Sequence, residues 1–173
     1  SLYNETDGVA IKPTPMIAMV GLMQDASKAV SSRFKRDGDV VAVIGALDGG
    51  LGGSEYLHAC RGMERGRPVL FDEASHKKVF DTMLDLVDAR LLASSTDIAK
   101  GGLLCAAASC WLESPRALGL ELSLPALEGR MDELCFGEGP ARFLVSYAPD
   151  KVDQIRSRCA DAGVPFLVVG KVA

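Results

Sequence analysis

The sequence predicts an α+β fold, an α/β sandwich in which helices cover a mixed sheet. Segments with the apolar patterns of strands alternate imperfectly with segments of helical period, in the order β-β-α-α-β-α-β-β-α-β. A regular doubly wound sheet needs stricter alternation and is therefore not expected. The 173 residues, 48% apolar and 24% charged, suit one globular domain of ordinary size.

Six segments have the patterns of strands. Residues 16–23 form a short apolar run after two prolines, which predicts a buried strand. Residues 39–46 are rich in β-branched side chains, which favour a second strand. The other strands are predicted at 91–98, 118–124, 142–147 and 164–169.

Four segments are predicted to be helices: 55–61, 72–90, 103–112 and 149–162. The helix at 72–90 has apolar residues three and four apart on one stripe, and Asp72 or Ser75 is placed to cap its first turn. The helix at 103–112 is small and apolar on nearly every side, so it is expected to be buried. Pro149 suits the first turn of the last helix, and Gly163 suits its end.

The composition excludes several classes of partner. The net charge is −4 and the basic residues are scattered, so no nucleic-acid partner is expected. No apolar stretch reaches the roughly 18 residues of a membrane-spanning helix. The five cysteines lack CxxC spacing, which predicts reduced thiols in a cytoplasmic protein, with Cys105, Cys110 and Cys159 buried. His58 and His76 have no neighbour in sequence that suggests a catalytic triad or a metal site.

The glycine-rich loop at 49–54 is the first candidate site. It joins a predicted strand to a predicted helix, where the backbone amides of Gly52, Gly53 and Ser54 are able to contact a phosphate group. The alternative is a tight turn that requires glycine conformations. Neither a P-loop nor a dinucleotide-binding GxGxxG pattern is present there.

Two further groups of residues are candidates. Asp97 precedes a second glycine-containing junction, at 97–102, where its carboxylate either accepts amide hydrogen bonds or meets magnesium or substrate. Near the start of the chain, Asn4, Glu5 and Asp7 offer hard oxygen atoms suited to magnesium with bound phosphates, unless they form a solvated loop. No serine or cysteine has a plausible histidine partner, so the chain alone is not expected to be a complete catalyst.

Several blocks together resemble formylglycinamidine ribonucleotide synthase (phosphoribosylformylglycinamidine synthase), within the aminoimidazole ribonucleotide synthetase superfamily. The most specific blocks are SLYNET followed by IKPTP, and LGGSEYL. The similar segments span nearly the whole chain: 1–6, 11–15, 51–57, 94–103, 136–138, 142–143, 163–165 and 169–172. The loop at 94–103 departs from the family pattern, because Thr96 replaces His, Ala99 replaces Ser and Lys100 replaces Asp.

The resemblance implies a fold and a domain organisation. The family enzyme consists of two fused repeats, each with a barrel-forming domain and a C-terminal α/β domain. This chain is similar to the C-terminal domain of the second repeat. Its polar opening stretch runs straight into prolines and an apolar run. We therefore expect residues 1–15 to be a remnant of the preceding domain and 16–173 to form the α/β domain.

The resemblance also implies a reaction. The family uses ATP and Mg²⁺ to convert formylglycinamide ribonucleotide and glutamine-derived ammonia to formylglycinamidine ribonucleotide, ADP and phosphate. The implied partners are the remaining domains of the synthetase, a glutaminase subunit or domain, and the ribonucleotide substrate. Ser1 matches a substrate-contacting serine, and Asn4 and Glu5 are expected to support the same edge. No catalytic residue, metal ligand or certain cofactor is expected within this chain.

Two alternatives stay open. The first is that the domain is a non-catalytic lobe that braces the active half of the enzyme. The second is that the chain is another ATP-dependent member of the superfamily, such as a selenophosphate synthetase or a thiamine-monophosphate kinase. The block at 1–5 argues against this second alternative.

Overall fold

A five-stranded antiparallel sheet forms the centre of the fold. The structure is a computed structural model that describes residues 3–11, 15–47, 49–114, 118–124 and 130–173. Its strands are β1 (Glu5–Thr6), β2 (Val9–Ala10), β3 (Val40–Ile44), β4 (Ser94–Asp97), β5 (Leu120–Leu122), β6 (Phe143–Tyr147) and β7 (Phe166–Val172). Its helices are α1 (Glu55–Arg61), α2 (Glu73–Asp88), α3 (Gly102–Leu112), α4 (Met131–Phe136) and α5 (Val152–Ala162).

The large sheet has the strand order β4-β6-β3-β7-β5, and β1 and β2 form a separate hairpin. The expected α+β sandwich is confirmed, although every described pair in the large sheet is antiparallel and the sheet is not mixed in that respect. Successive side chains of a strand point to opposite faces, so central strand β3 is buried on both sides. This explains its continuous run of β-branched and small apolar residues.

Helices cover both faces of the sheet. On one face, α2 and α5 pack on inward residues of β3 and β6, including Ile44 and Val145. On the other face, α3 packs on Val41, Val43 and Leu144. The apolar stripe expected on α2 is confirmed by three buried positions, Val79, Met83 and Leu86.

The predicted ends of two helices are also confirmed. The carboxylate of Asp72 accepts the backbone N–H of Ser75 at 3.3 Å and so caps α2. Pro149 begins a 3₁₀ turn that leads into α5, and Gly163 ends α5 in the left-handed conformation with φ of 67°. None of the described helices is long and apolar enough to cross a membrane.

The predicted strand at 16–23 is wrong in this structure. These residues pair with no strand in the described part of the chain, and their apolar side chains face solvent: Met16 is 96% exposed and Val20 fully exposed. A strand needs a neighbour for its backbone donors and acceptors, and this segment has none among the described residues. Apolar composition alone therefore gave the wrong prediction.

Two other expectations need correction, and two short elements were not predicted. Helix α3 is buried on one face only, because Trp111 and Leu112 are exposed at its end. Cys105, expected to be buried, is exposed on the same helix, whereas Cys110 and Cys159 are buried as expected. Helix α4 and the β1–β2 hairpin are the elements that the sequence patterns did not predict. Both are too short to show a clear apolar period, which is the signal that reveals longer elements.

Candidate functional site

The glycine-rich loop leads from β3 into α1. Ser54 is the N-cap of α1: its hydroxyl accepts the backbone N–H of Leu57 at 3.3 Å and donates to the carbonyl of Leu51 at 2.7 Å. The side chain is 1% exposed. Both hydrogen-bonding roles of the hydroxyl are therefore used inside the loop.

The two glycines before Ser54 have structural reasons to be glycine. A Cβ atom at Gly52 would lie 2.0 Å from the carbonyl oxygen of Arg67, so only glycine allows this approach of the two backbones. Gly53 has φ of 71°, and its N–H donates to the carbonyl of Arg65 at 3.0 Å. These contacts favour the tight-turn interpretation of the loop.

A polar groove of about 450 Å³ lies beside Gly53 and Ser54. It is lined by two carboxylates, those of Glu55 and Glu64, as well as by His58 and Arg65. The Nδ1 atom of His58 lies 3.4 Å from a Glu64 carboxylate oxygen. With two carboxylates beside one guanidinium, the groove has no net positive charge to attract a phosphate group.

The second junction lies at the end of β4. Asp97 is exposed there and is paired in register with Phe143 of β6. The ammonium of Lys100 lies 3.0 Å from the carboxylate of Glu55. Lys100 therefore brings a positive charge to the glycine-rich loop, and the two junctions are neighbours in space.

Glu138 connects these junctions, although no role was predicted for it from the sequence. One carboxylate oxygen accepts the backbone N–H of Glu55 at 2.9 Å and that of Gly101 at 2.8 Å. The Glu138 backbone also exchanges two hydrogen bonds with Gly50, at 2.9 and 3.0 Å. The sequence signal was an isolated acid after Gly137, at the end of α4, within a block that resembles the family.

Arg142 fixes the same region from beneath. Its guanidinium donates to the carbonyls of Ala46, Gly137 and Leu47, at 2.8, 2.7 and 2.9 Å. The residue is 2% exposed. Its planar fork of donors is thus used to tie backbone segments together. Next to this region, the rings of Tyr56 and Phe136 stack with centroids 4.9 Å apart, joining α1 to α4.

The candidates near the start of the chain lie on and beside the β1–β2 hairpin. Asn4 accepts the N–H of Glu5 at 2.8 Å through its side chain, and Tyr3 donates its hydroxyl to the Glu5 carboxylate. Ser1 lies outside the described residues. Within the described part, no three side chains of His, Cys, Asp or Glu come together in a cluster that could hold a metal ion.

Burial lowers the reactivity of the described cysteine thiols that lie in the core. Desolvation raises the pKa of both Cys110 and Cys159 to about 11. A thiol with a raised pKa is a poor nucleophile at neutral pH, because the thiolate is the reactive form. These cysteines therefore serve packing.

This fold is that of a known domain class. Residues 36–173 match the family described as AIR synthase related protein, C-terminal domain, and the chain belongs to this family. The resemblance drawn from the sequence blocks is thereby confirmed.

Named relatives narrow the similarity further. The chain is 39% identical over 180 positions to the phosphoribosylformylglycinamidine synthase subunit PurL of Anaeromyxobacter sp. strain Fw109-5. It is 37% identical over 172 positions to the PurL subunit of Caldanaerobacter subterraneus subsp. tengcongensis. Each alignment covers 99% of this chain but 23% of the relative, so the chain spans about a quarter of the length of these relatives.

Solved structures agree on the fold. Thermotoga maritima PurL complexed with FGAR superposes with a TM-score of 0.69 at 20% identity, covering 85% of this chain and 26% of that one. A T. maritima PurL complexed with ATP gives a TM-score of 0.65 at 19% identity, covering 85% and 23%. The hydrogenase maturation protein HypE of Escherichia coli gives 0.55 at 18%, covering 83% and 46%.

Proposed function

We propose that this chain is the C-terminal domain of the second repeat of a PurL-type synthetase. The complete protein would convert formylglycinamide ribonucleotide, ammonia and ATP to formylglycinamidine ribonucleotide, ADP and phosphate. The observation that carries the proposal is the 37–39% identity to PurL subunits over 99% of the chain. The proposal that ATP and the ribonucleotide are substrates is supported by T. maritima PurL structures complexed with ATP and with FGAR.

The domain organisation supports a role that depends on other parts of the protein. We assign residues 1–15 to the preceding domain and 16–173 to this one. The exposed apolar segment at 16–23 is consistent with that assignment, because a strand of the rest of the synthetase would supply the missing backbone partner. The other partners would be the ribonucleotide and a glutaminase subunit or domain that supplies ammonia, and the location would be cytoplasmic.

The proposed binding residues form two groups. Ser1 would contact the ribonucleotide, with Asn4 and Glu5 supporting that edge from the hairpin. Gly52, Gly53 and Ser54 would support this edge or contact a phosphate group, and Asp97 on the neighbouring junction would support it or meet magnesium or substrate. Mg²⁺ would accompany ATP in the complete protein, with its main carboxylate ligands outside this chain.

The first test is an activity assay of the isolated chain. We expect no ATP- and ammonia-dependent formation of formylglycinamidine ribonucleotide, because Ser1 would be separated from the rest of the cleft. Recombining the chain with the remaining domains should restore turnover. Measurable turnover by the chain alone would contradict the proposal.

The second candidate function is a structural brace. It is favoured by a specific observation: the hydroxyl of Ser54 and the Lys100–Glu55 pair are all engaged inside the domain. The Ser1→Ala substitution in the full-length synthetase distinguishes the two roles. A raised KM for the ribonucleotide supports the contact, whereas an unchanged KM with lowered thermal stability supports the brace.

A further inference from the structure

Glu138 places a negative charge where two backbone amides converge. The N–H groups of Glu55 and Gly101 come from different loops, and both donate to the same carboxylate oxygen, at 2.9 and 2.8 Å. Such hydrogen bonds to a charged acceptor are about twice as strong as neutral ones. One side chain therefore joins the start of α1 to the turn before α3.

The backbone of Glu138 is itself fixed. It is paired with Gly50, in the same glycine-rich loop, through the two hydrogen bonds of an isolated antiparallel β-bridge. Four residues later, Arg142 ties the carbonyl of Gly137 to those of Ala46 and Leu47. The carboxylate is thus held in position rather than free to choose other partners.

We propose that Glu138 is a positioning residue that clasps the two glycine-containing junctions together and serves as their internal anion. The clasp consists of the Glu138 carboxylate and the amides of Glu55 and Gly101. A phosphate group that reached the Glu55 amide would compete with this carboxylate, since like charges held within a few ångströms repel each other. The clasp stands on the hydrogen bonds alone; only its competition with phosphate rests on the contact proposed for Gly52–Ser54.

Amide hydrogen exchange of the 173-residue chain, followed by NMR, tests the clasp. In Glu138→Ala, we expect the amides of Glu55 and Gly101 to exchange about tenfold faster or more, because both lose a charged acceptor. The Gly45 amide, which donates to Pro165, should keep its rate because it lies outside the clasp. Glu133→Ala is the matched control, since Glu133 is an exposed acid on nearby α4.

Unchanged exchange at both amides, or a change at only one of them, would overturn the clasp. If Glu138→Ala does not fold, Glu138→Gln gives the same readout with the side-chain volume kept. Its neutral amide oxygen is a weaker acceptor, so both amides should still exchange faster than in the parent chain.

Acetate replaces the deleted carboxylate and separates positioning from a general loss of packing. Added acetate should slow exchange at both amides in Glu138→Ala and raise its Tm. Chloride at equal ionic strength should do neither, and the Glu133→Ala control should not respond. If the parent chain, Glu138→Ala and Glu133→Ala respond equally to acetate and to chloride, the proposal of an internal anion is wrong.

Inorganic pyrophosphate then tests the competition. We expect it to shift the Glu55 and Gly101 amide resonances in Glu138→Ala but not in the parent chain, and acetate should reverse the shifts. Shifts of equal size in the parent chain would refute the competition, while the exchange and acetate results would still decide the clasp. Loss of the proposed synthetase activity would be read separately, in the full-length assay.

Discussion

Replacement of Arg142 by alanine should destabilise the chain more than replacement of any exposed arginine. The guanidinium donates to three carbonyls that belong to two separate segments, and the residue is almost entirely buried. The Arg142→Ala change removes all three donors at once. It also leaves a cavity under the glycine-rich loop, because alanine cannot fill the volume of the lost side chain.

The magnitude follows from which carbonyls water can reach. A hydrogen bond from a charged donor contributes ~1.5–3 kcal/mol. Ala46 is exposed and Leu47 half-buried, so water replaces much of what is lost there, whereas Gly137 is buried. We count one full hydrogen bond, a small contribution from each of the other two, and a contribution from the cavity. Removal of a buried charge offsets part of this sum, so we expect the free energy of unfolding to fall by about 3 kcal/mol. That is a large part of a typical folding stability of ~5–15 kcal/mol.

Urea unfolding followed by far-ultraviolet circular dichroism measures this loss. Arg130→Ala is the control, because Arg130 forms a surface pair with Asp132 that water screens, so its loss should change the stability much less than the loss of Arg142. Arg142→Lys should fall between the two, since one ammonium cannot match the planar fork. If Arg142→Ala lies within ~0.5 kcal/mol of the parent protein, which is the usual range of surface substitutions, the reasoning fails.

Three further predictions concern the loop, the thiols and a buried acid. Gly52→Ala should lower the free energy of unfolding by ~1–3 kcal/mol in the same assay, because its Cβ would meet the Arg67 carbonyl at 2.0 Å; an unchanged stability would contradict the close approach. In the native protein at neutral pH, Ellman's reagent should label Cys60 and Cys105 rapidly and the three buried cysteines only after unfolding; rapid labelling of all five would refute this. Burial raises the pKa of Asp39 above its ordinary 3.8, so the folded chain keeps this proton to a higher pH than the unfolded chain does. The free energy of unfolding should therefore fall as the pH rises above 3.8. Asp39→Asn should remove this part of the pH dependence, and parallel pH profiles of the variant and the parent chain would contradict the prediction.

Long elements were predictable because their signals are local. Helix α2 has an apolar stripe at helical spacing and a capping acid before it, and both features arise from residues within one segment. Strand β3 has a β-branched run that suits burial on two faces. The blocks that resemble the family identified the domain class, which the family match then confirmed.

The segment at 16–23 shows where local patterns fail. Its apolar composition is that of a buried strand, yet whether a strand forms depends on a partner for its backbone, which the described residues do not contain. The prediction for helix α3 was wrong in part. Its composition suited burial on all sides, but only one of its faces is buried. Composition shows that a segment is compatible with burial, whereas the packing of neighbouring elements decides whether it is buried.

The sequence by itself determined the α+β class, the long helices and strands, the family, and the glycine-rich junctions as turns before helices. Only the tertiary structure decided that Glu138 and Arg142 hold those junctions together. The partners of Glu138 lie 83 and 37 positions away along the chain, and those of Arg142 include carbonyls 95 and 96 positions away. Hydrogen bonds between such distant residues depend on how the strands are ordered in the sheet, and no local pattern of side chains encodes that order.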